Sequence, residues 1–404
     1  MSYSLRFISA RSPGTLARYL AAAGVDPYGI RVIEEKAETL VIRVDGVAAP
    51  AANIIKQQLL SIGGDAAVHR DVITGGPQRS TVYIVADRSR LSRLPEKFAR
   101  QPFGLAELGA RIARLVAASA EPPAALSLPQ GAIDLTSGPV IMGVLNVTPD
   151  SFSDGGRHLD PGAACEHAAE MAEAGAAIID IGGESTRPGA AALSAADELA
   201  RVRPIITRLV RTIPAPLSID TRNALVAEAA LGEGASIVND VSGLRHDPAM
   251  LETVRRANAA VVIMHMLGTP ETMQEKPHYD DVTSEIIAWL AERAGAAVAA
   301  GIPREKIVVD PGIGFGKRLE HNLALFREIG DFRGLGFPVM IGYSRKSFIG
   351  AITGRGVEER LWGGFAALAR ALDGGVRIVR VHDVRETADF IKVWKAIDGK
   401  DSGA

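Results

Sequence analysis

Between Val140 and Asp383 the sequence repeats one arrangement: a short apolar run ending in side chains that can bind or carry charge. VIMGVLN ends in Asn146, AAIIDIG carries Asp180, PLSID ends in Asp220 and ASIVND in Asn239-Asp240. AVVIMH ends in His265, KIVVDPG carries Asp310, PVMIGYS leads into Ser344-Arg345-Lys346, and VRIVRVHD carries Arg380 and His382. One strand-end aspartate is usually a cap for the next helix. Polar ends on all eight runs need another explanation.

The polar side chains divide by chemistry. Thr186, Arg187, Lys317, Lys346, Arg380 and His382 donate hydrogen bonds or positive charge, as a phosphate or pyrophosphate requires. The glycines of GGESTRPGA and DPGIGFGK would let backbone N–H groups approach such an anion. Asp220, Asn239 and Asp310 supply carboxylates and an amide, which suit a flat heterocycle with several N–H donors and a ring carbonyl. The structural alternative is a network in which the carboxylates neutralise the cations. Other chemistries fit less well: the sequence has no G-x-S-x-G elbow, H-E-x-x-H pair or Walker phosphate loop. Gly312, Gly314 and Gly316 fail the dinucleotide spacing.

Chemistry at strand ends requires strands whose ends face one way. Eight apolar runs alternating with helical stretches are what a (β/α)8 TIM barrel needs, with its site at the C-terminal strand ends. An open doubly wound sheet is the runner-up, but the pattern shows no reversal point. Asp160-Pro161 opens one helix, which stops at Gly175. Ser194 with Asp197 opens another, in which Pro204 predicts a kink. Prolines and small residues over 121–138 mark a boundary. We therefore expect a small α/β or α+β domain over residues 1–125, a linker over 126–137 and the barrel over 138–398. In the first domain LRFIS, TLVIRV and TVYIVA read as strands, and residues 13–23, 51–61 and LAELGARIARLVAA as helices. Gly63-Gly64 reads as a helix cap rather than an anion loop. This domain shows no catalytic cluster, so residues 131–404 are expected to keep the barrel's chemistry.

Composition sets outer bounds. The 404 residues are 47% apolar and 23% charged, as a globular chain should be. A net charge of −2 provides no general field for nucleic acid or an anionic membrane. A single cysteine, Cys165, excludes an intramolecular disulfide and a cysteine-based zinc site. With no signal-like or membrane-length apolar run, the chain reads as soluble and cytoplasmic.

Over residues 138–398 the sequence resembles dihydropteroate synthase, a family of folate biosynthesis. IMGVLNVTPDSFSDGG resembles its first signature and GGESTRPGA its second. SIDT, IVNDVSG, MHMLGTPETMQ, DPGIGFGK, GYSRKSFIG and RVHDV follow in the family's order. The resemblance implies a barrel, usually dimeric, that joins 6-hydroxymethyl-7,8-dihydropterin pyrophosphate to p-aminobenzoate with Mg²⁺, releasing 7,8-dihydropteroate and pyrophosphate. It implies that Asp220, Asn239, Asp310 and Lys346 bind the pterin, and that Asn146, Thr186, Arg380 and His382 hold the pyrophosphate with Mg²⁺ near Asn146. Arg187, Phe315 and Ser347 would surround p-aminobenzoate, under loops holding Phe152, Asp154 and Pro188. Lys346, Arg380, His382, Asp154 and Arg187 are the expected catalytic set, with His382 a phosphate donor rather than a general base. A deep pterin pocket and an outer site built from loops imply ordered binding, with sulfonamides competing at the outer site. A corrinoid-linked methyltransferase of the same superfamily would share the carboxylates but needs no STRPGA, SRKS and RVHD clamp. A catalytically silent pterin-binding protein would not need the whole set. Two features depart from the family: Leu267, where many relatives carry a polar or basic side chain, and the N-terminal region, which the minimal enzyme lacks.

Overall fold

Short aliphatic and β-branched runs that are buried on both faces form parallel sheets covered by helices. The computed structural model, which describes residues 15–120, 123–147, 161–184 and 193–398, follows this rule in the second of two units, residues 1–120 and 121–404.

The first unit is α+β. Strands β1 (Thr39–Ala48), β2 (Asp65–Ala67) and β3 (Arg79–Asp87) form an antiparallel sheet in the order β1-β3-β2. The helix Ala49–Ser61 packs Ala52, Ile55 and Leu59 into a core with Val82, Ile84, Leu94 and Phe98. It ends as expected at Gly63 (φ +81°), where the N–H groups of Gly63 and Gly64 donate to the carbonyls of Leu60 and Leu59. The helices expected over 13–23 and at LAELGARIARLVAA occur as Thr15–Ala22 and Leu105–Ala120. The helix Pro27–Ala37 was not anticipated, although Asp26 caps it and Pro27 starts it. LRFIS lies outside the described residues.

The second unit contains a short hairpin, β4 (Ala125–Leu128) and β5 (Gly131–Asp134), and eight barrel strands. These are β6 (Val140–Asn146), β7 (Ala176–Gly182), β8 (Leu217–Asp220), β9 (Ile237–Asp240), β10 (Ala260–Met264), β11 (Ile307–Asp310), β12 (Met340–Gly342) and β13 (Ile378–Val381). Their order is β11-β10-β9-β8-β7-β6-β13-β12, with parallel pairs throughout. The ring closes where Val309 bridges Val339 and donates its N–H to the Pro338 carbonyl at 3.0 Å. This is the expected (β/α)8 barrel. The helix signals also hold: one helix starts at Pro161, and Ser194 caps Ala195–Thr212 by accepting the Asp197 N–H at 3.1 Å, with Pro204 inside. Among the described residues, no helix is long and apolar enough to cross a membrane.

Residues 126–137, expected to be a linker, instead supply the floor of the barrel. Leu126, Leu128, Ile133 and Leu135 pack against Met142, Ile178, Ile237, Val262, Val308, Met340 and Ile378, all near the N-terminal ends of their strands. The period of two in Leu126-x-Leu128 and Ile133-x-Leu135 carries this information, but Pro129 and Gly131 between them read as coil. A chain cut at residue 131 would lose β4.

Candidate active site

The floor residues fix the register of the site. Side chains alternate along a strand. Stepping by two from Met142 reaches Val144 and Asn146; from Ile178, Asp180 and Gly182; from Ile237, Asn239 and Val241. The same step leads from Val308 to Asp310, from Met340 to Gly342, and from Ile378 to Arg380 and His382. The intervening residues, including Leu145, Ile179, Ile219, Val238, Ile263, Val309, Ile341 and Val379, belong to the outer core packed with the helices. One alternation therefore builds an apolar floor and a polar chamber above it.

Asp220, Asn239, Asp310, Phe315, Lys346 and Arg380 line one open recess of about 310 Å³, together with Val241, Met264, Met340 and Gly342. The Arg380 guanidinium ties its carboxylates together: Nε donates to Asp180 Oδ2 at 2.6 Å and Nη2 to Asp220 Oδ2 at 2.7 Å. Asn239 Nδ2 donates to the same Asp180 oxygen at 3.0 Å. Burial pushes the Asp220 carboxyl up to about 7, against the pull of Arg380. Burial also disfavours the Arg380 charge, but Asp180 and Asp220 outweigh it and hold the group firmly protonated. Asn146 is the neighbour of this centre: a Cβ added to Gly182 would lie 3.6 Å from Asp220 Cβ and 3.8 Å from Asn146 Oδ1, so both side chains flank that glycine.

A second wall joins Asp310 to Lys346. Asp310 Oδ1 accepts the Gly312 N–H at 2.7 Å. Lys346 Nζ donates to the Ile313 carbonyl and lies 4.4 Å from the centre of the Phe315 ring, a cation–π contact. Burial raises the Asp310 pKa against the pull of Lys346, and lowers that of Lys346 to about 8 against the pull of Asp310. The loop after β11 fits only because it is glycine-rich. A Cβ on Gly312 (φ +67°) would lie 2.0 Å from the His265 carbonyl oxygen, and one on Gly316 (φ +62°) 2.7 Å from that of Leu267. The backbone of Leu267 thus packs directly against Gly316, and its side chain is exposed.

Not every expected donor faces the recess. Lys317, grouped above with the anion-binding residues, is consumed internally: its Nζ lies 3.0 Å from His265 Nδ1 and donates to the Phe315 carbonyl at 2.9 Å. Burial and Lys317 drive His265 down to about 2, so both form a structural lock between the loops after β10 and β11. Asp240 likewise accepts the N–H groups of Ser242 and Leu244 and shapes a turn. His382 stands beyond Arg380, its Nδ1 3.1 Å from Ser344 Oγ. Burial, followed by the charge of Arg380, lowers it to about 4, which leaves a neutral ring at pH 7. Ser347 is the exposed first residue of the helix Ser347–Thr353. Asp154, Thr186 and Arg187, with Phe152 and Pro188, lie outside the described residues.

Asp180 and Arg222 were not singled out as site residues. Arg222 forms a two-pronged pair with Glu184 (3.2 and 3.1 Å), whose carboxylate also accepts the Leu193 N–H at 3.2 Å. Glu184 thereby links the end of β7 to Leu193 and to Arg222 after β8. Glu184 follows β7 and Arg222 follows β8, and their spacing in the sequence carries no sign that they meet.

Comparison with known proteins matches this architecture. A family model described as "Pterin binding enzyme" matches residues 142–382. The dihydropteroate synthase of Escherichia coli (strain K12) is 45% identical over 260 residues, covering 64% of this chain and 92% of that one. The chain belongs to the dihydropteroate synthase family. Among solved structures, the Xanthomonas albilineans dihydropteroate synthase with 4-aminobenzoic acid is 45% identical, with a TM-score of 0.64, covering 69% of this chain and 98% of that one. A probable bifunctional folylpolyglutamate synthase/dihydropteroate synthase of Halobacterium salinarum is 42% identical over 377 residues, covering 93% of this chain and 45% of that one. That similarity is too long to be confined to the barrel, so this relative shares the N-terminal unit as well.

Proposed function

We infer that the barrel joins 6-hydroxymethyl-7,8-dihydropterin pyrophosphate to p-aminobenzoate, forming 7,8-dihydropteroate and pyrophosphate. The observation that carries this reading is the convergence of Asp220, Asn239 and Asp310 with Lys346 and Arg380 on one recess. The acceptors Asp220, Asn239 Oδ1 and Asp310 suit the N–H edge of a pterin, and Lys346 suits its ring acceptors. Arg380 and the neutral His382 ring face the pyrophosphate, with Asn146 and Thr186. Arg187, Phe315 and Ser347 surround the aromatic amine.

The C–O bond to pyrophosphate breaks as its electron pair passes to the leaving oxygen, whose charge Arg380 and His382 stabilise. The aniline nitrogen forms the new C–N bond and loses a proton to water or to the released pyrophosphate. Position matters more than a strong base, since the electron-rich pterin delocalises charge at the methylene carbon. A Mg²⁺ site fits the chemistry present: this ion keeps waters and takes few protein ligands beside phosphate oxygens, a role within reach of the Asn146 amide oxygen. When bound, it would supply further positive charge to the leaving group.

The apolar surface of Trp362, Val393 and Ile397, continued by the Phe365–Phe390 stack at 4.9 Å, supports pairing with a second copy of the chain. Sedimentation of wild type and of Trp362→Glu/Ile397→Glu checks this, a shift from dimer to monomer being expected. For the reaction, incubating the purified chain with both substrates and Mg²⁺ should yield dihydropteroate and pyrophosphate in equal amounts. Absence of both products from folded protein would refute the assignment.

A further inference from the structure

Asp180 is fully buried on β7, and none of the roles above uses it. Its Oδ2 accepts from both Arg380 Nε and Asn239 Nδ2, while Oδ1 has no hydrogen-bond partner among the described residues. Burying a carboxylate is costly unless its partners are well placed, and removing one partner leaves the others unpaired. Such a group is worth explaining.

Its two partners each have an orientation problem. A carboxamide can turn by half a rotation and exchange its oxygen for its NH₂. A carboxylate offers only acceptors, so Asp180 selects the rotamer in which Asn239 Nδ2 faces it. Asn239 Oδ1, also buried and without a partner among the described residues, is thereby left as an acceptor. Arg380 comes from β13 and spans β6 to reach Asp180 on β7. With Nε held by Asp180 and Nη2 by Asp220, two sides of the planar fork are fixed and Nη1 remains. Without Asp180 the long side chain would be held at one point only and could rotate about it.

We propose that Asp180 is a positioning residue, which presets the Asn239 amide as an acceptor for the pterin and the Arg380 guanidinium for the pyrophosphate without touching either. This rests on the substrate assignment above and adds to it the source of that geometry. What matters at this position is the single oxygen Oδ2, which accepts from both Arg380 Nε and Asn239 Nδ2, and a side chain without an acceptor there would release both groups.

The test is a double-mutant cycle in the full chain. Asp180→Ala should lower kcat/KM for the pterin pyrophosphate by at least about tenfold while retaining a cooperative thermal transition. In an Arg380→Gln background the same change should cost markedly less, because the group it orients is gone. Full additivity of the two losses, or unchanged kinetics in folded Asp180→Ala, would overturn the proposal. A second measurement uses wild type alone: the ¹⁵Nε–H resonance of Arg380 should be resolved and slow to exchange with solvent, and rapid exchange would likewise overturn it. A wild-type chain that makes no dihydropteroate would instead defeat the substrate assignment, and the resonance would still report on whether Asp180 holds Arg380.

Discussion

The two ends of the barrel are built from the same alternation and serve opposite ends. Below, Met142, Ile178, Ile237 and Val308 meet the β4–β5 hairpin in an apolar layer. Above, at the next inward positions of β7, β9, β11 and β13, stand Asp180, Asn239, Asp310 and Arg380, of which the first three are buried. Burial that stabilises the lower layer works against the upper one, where it raises Asp220 and Asp310 and lowers Lys346. The floor is where this barrel gains stability, and the upper layer is where that stability is given up for binding.

The contrast is most directly tested by one substitution at each end. Asp310→Ala should cost about a hundredfold or more in kcat/KM, on the order of 3 kcal/mol, by removing an acceptor from the proposed pterin site. Leu126→Ala should leave KM values near wild type and destabilise folding by about 2–5 kcal/mol. Denaturant titration and steady-state kinetics on both variants read the two effects separately, and a Leu126 variant that altered KM would break the division.

Next in size is Lys346→Ala, which removes a cation placed between Asp310 and the Phe315 ring. Turnover should fall at least about tenfold, or roughly 1.4 kcal/mol, with weaker binding of both substrates. Unchanged kinetics would take Lys346 out of the site. Calorimetry should also find p-aminobenzoate binding tighter once pterin and pyrophosphate are present. Equal affinity with and without them would contradict ordered binding.

A pH titration separates stability from function. The Asp220 carboxyl is raised to about 7, so its contribution to folding is fully present at acid pH, below its unfolded value, and is lost as pH rises through about 7. Acceptance of pterin N–H donors needs the ionised form. Pterin affinity should therefore rise as pH passes from about 6 to 8, by up to about tenfold, and Asp220→Asn should flatten that profile. His382, lowered to about 4, should contribute no step over this range in the substrate-free protein.

The last contrast concerns chain length. A fragment starting at residue 123 keeps β4 and should fold with activity close to that of the full chain. One starting at residue 131 exposes the floor and should aggregate or melt lower. Equal solubility and melting of the two fragments would deny the hairpin its role.

What could be read from the sequence follows from these same forces. The eight strands were legible because parallel strands buried on both faces appear as uninterrupted aliphatic runs, and the site residues because they terminate those runs. The hairpin was not, since its two four-residue strands flank Pro129 in a proline-rich stretch. Nor were the roles of Asp180 and Lys317: a strand-end aspartate and a loop lysine look the same whether they face a ligand or another side chain. Only the fold brings Asp180 to Arg380, two hundred positions away.

The closure of the ring has a mechanical consequence. Neighbouring strands elsewhere share runs of paired residues, whereas β11 joins the segment before β12 by a single bridge, Val309 with Val339, and the bond from the Val309 N–H to the Pro338 carbonyl. A hoop with one narrow clasp opens there first. Hydrogen exchange should enter the wall at this seam, through the amides of Val309 and its neighbours, before it reaches β6 and β7, which are zipped along most of their length. Asp310 follows Val309 directly, so the side of the chamber assigned to the pterin adjoins the seam that should open first.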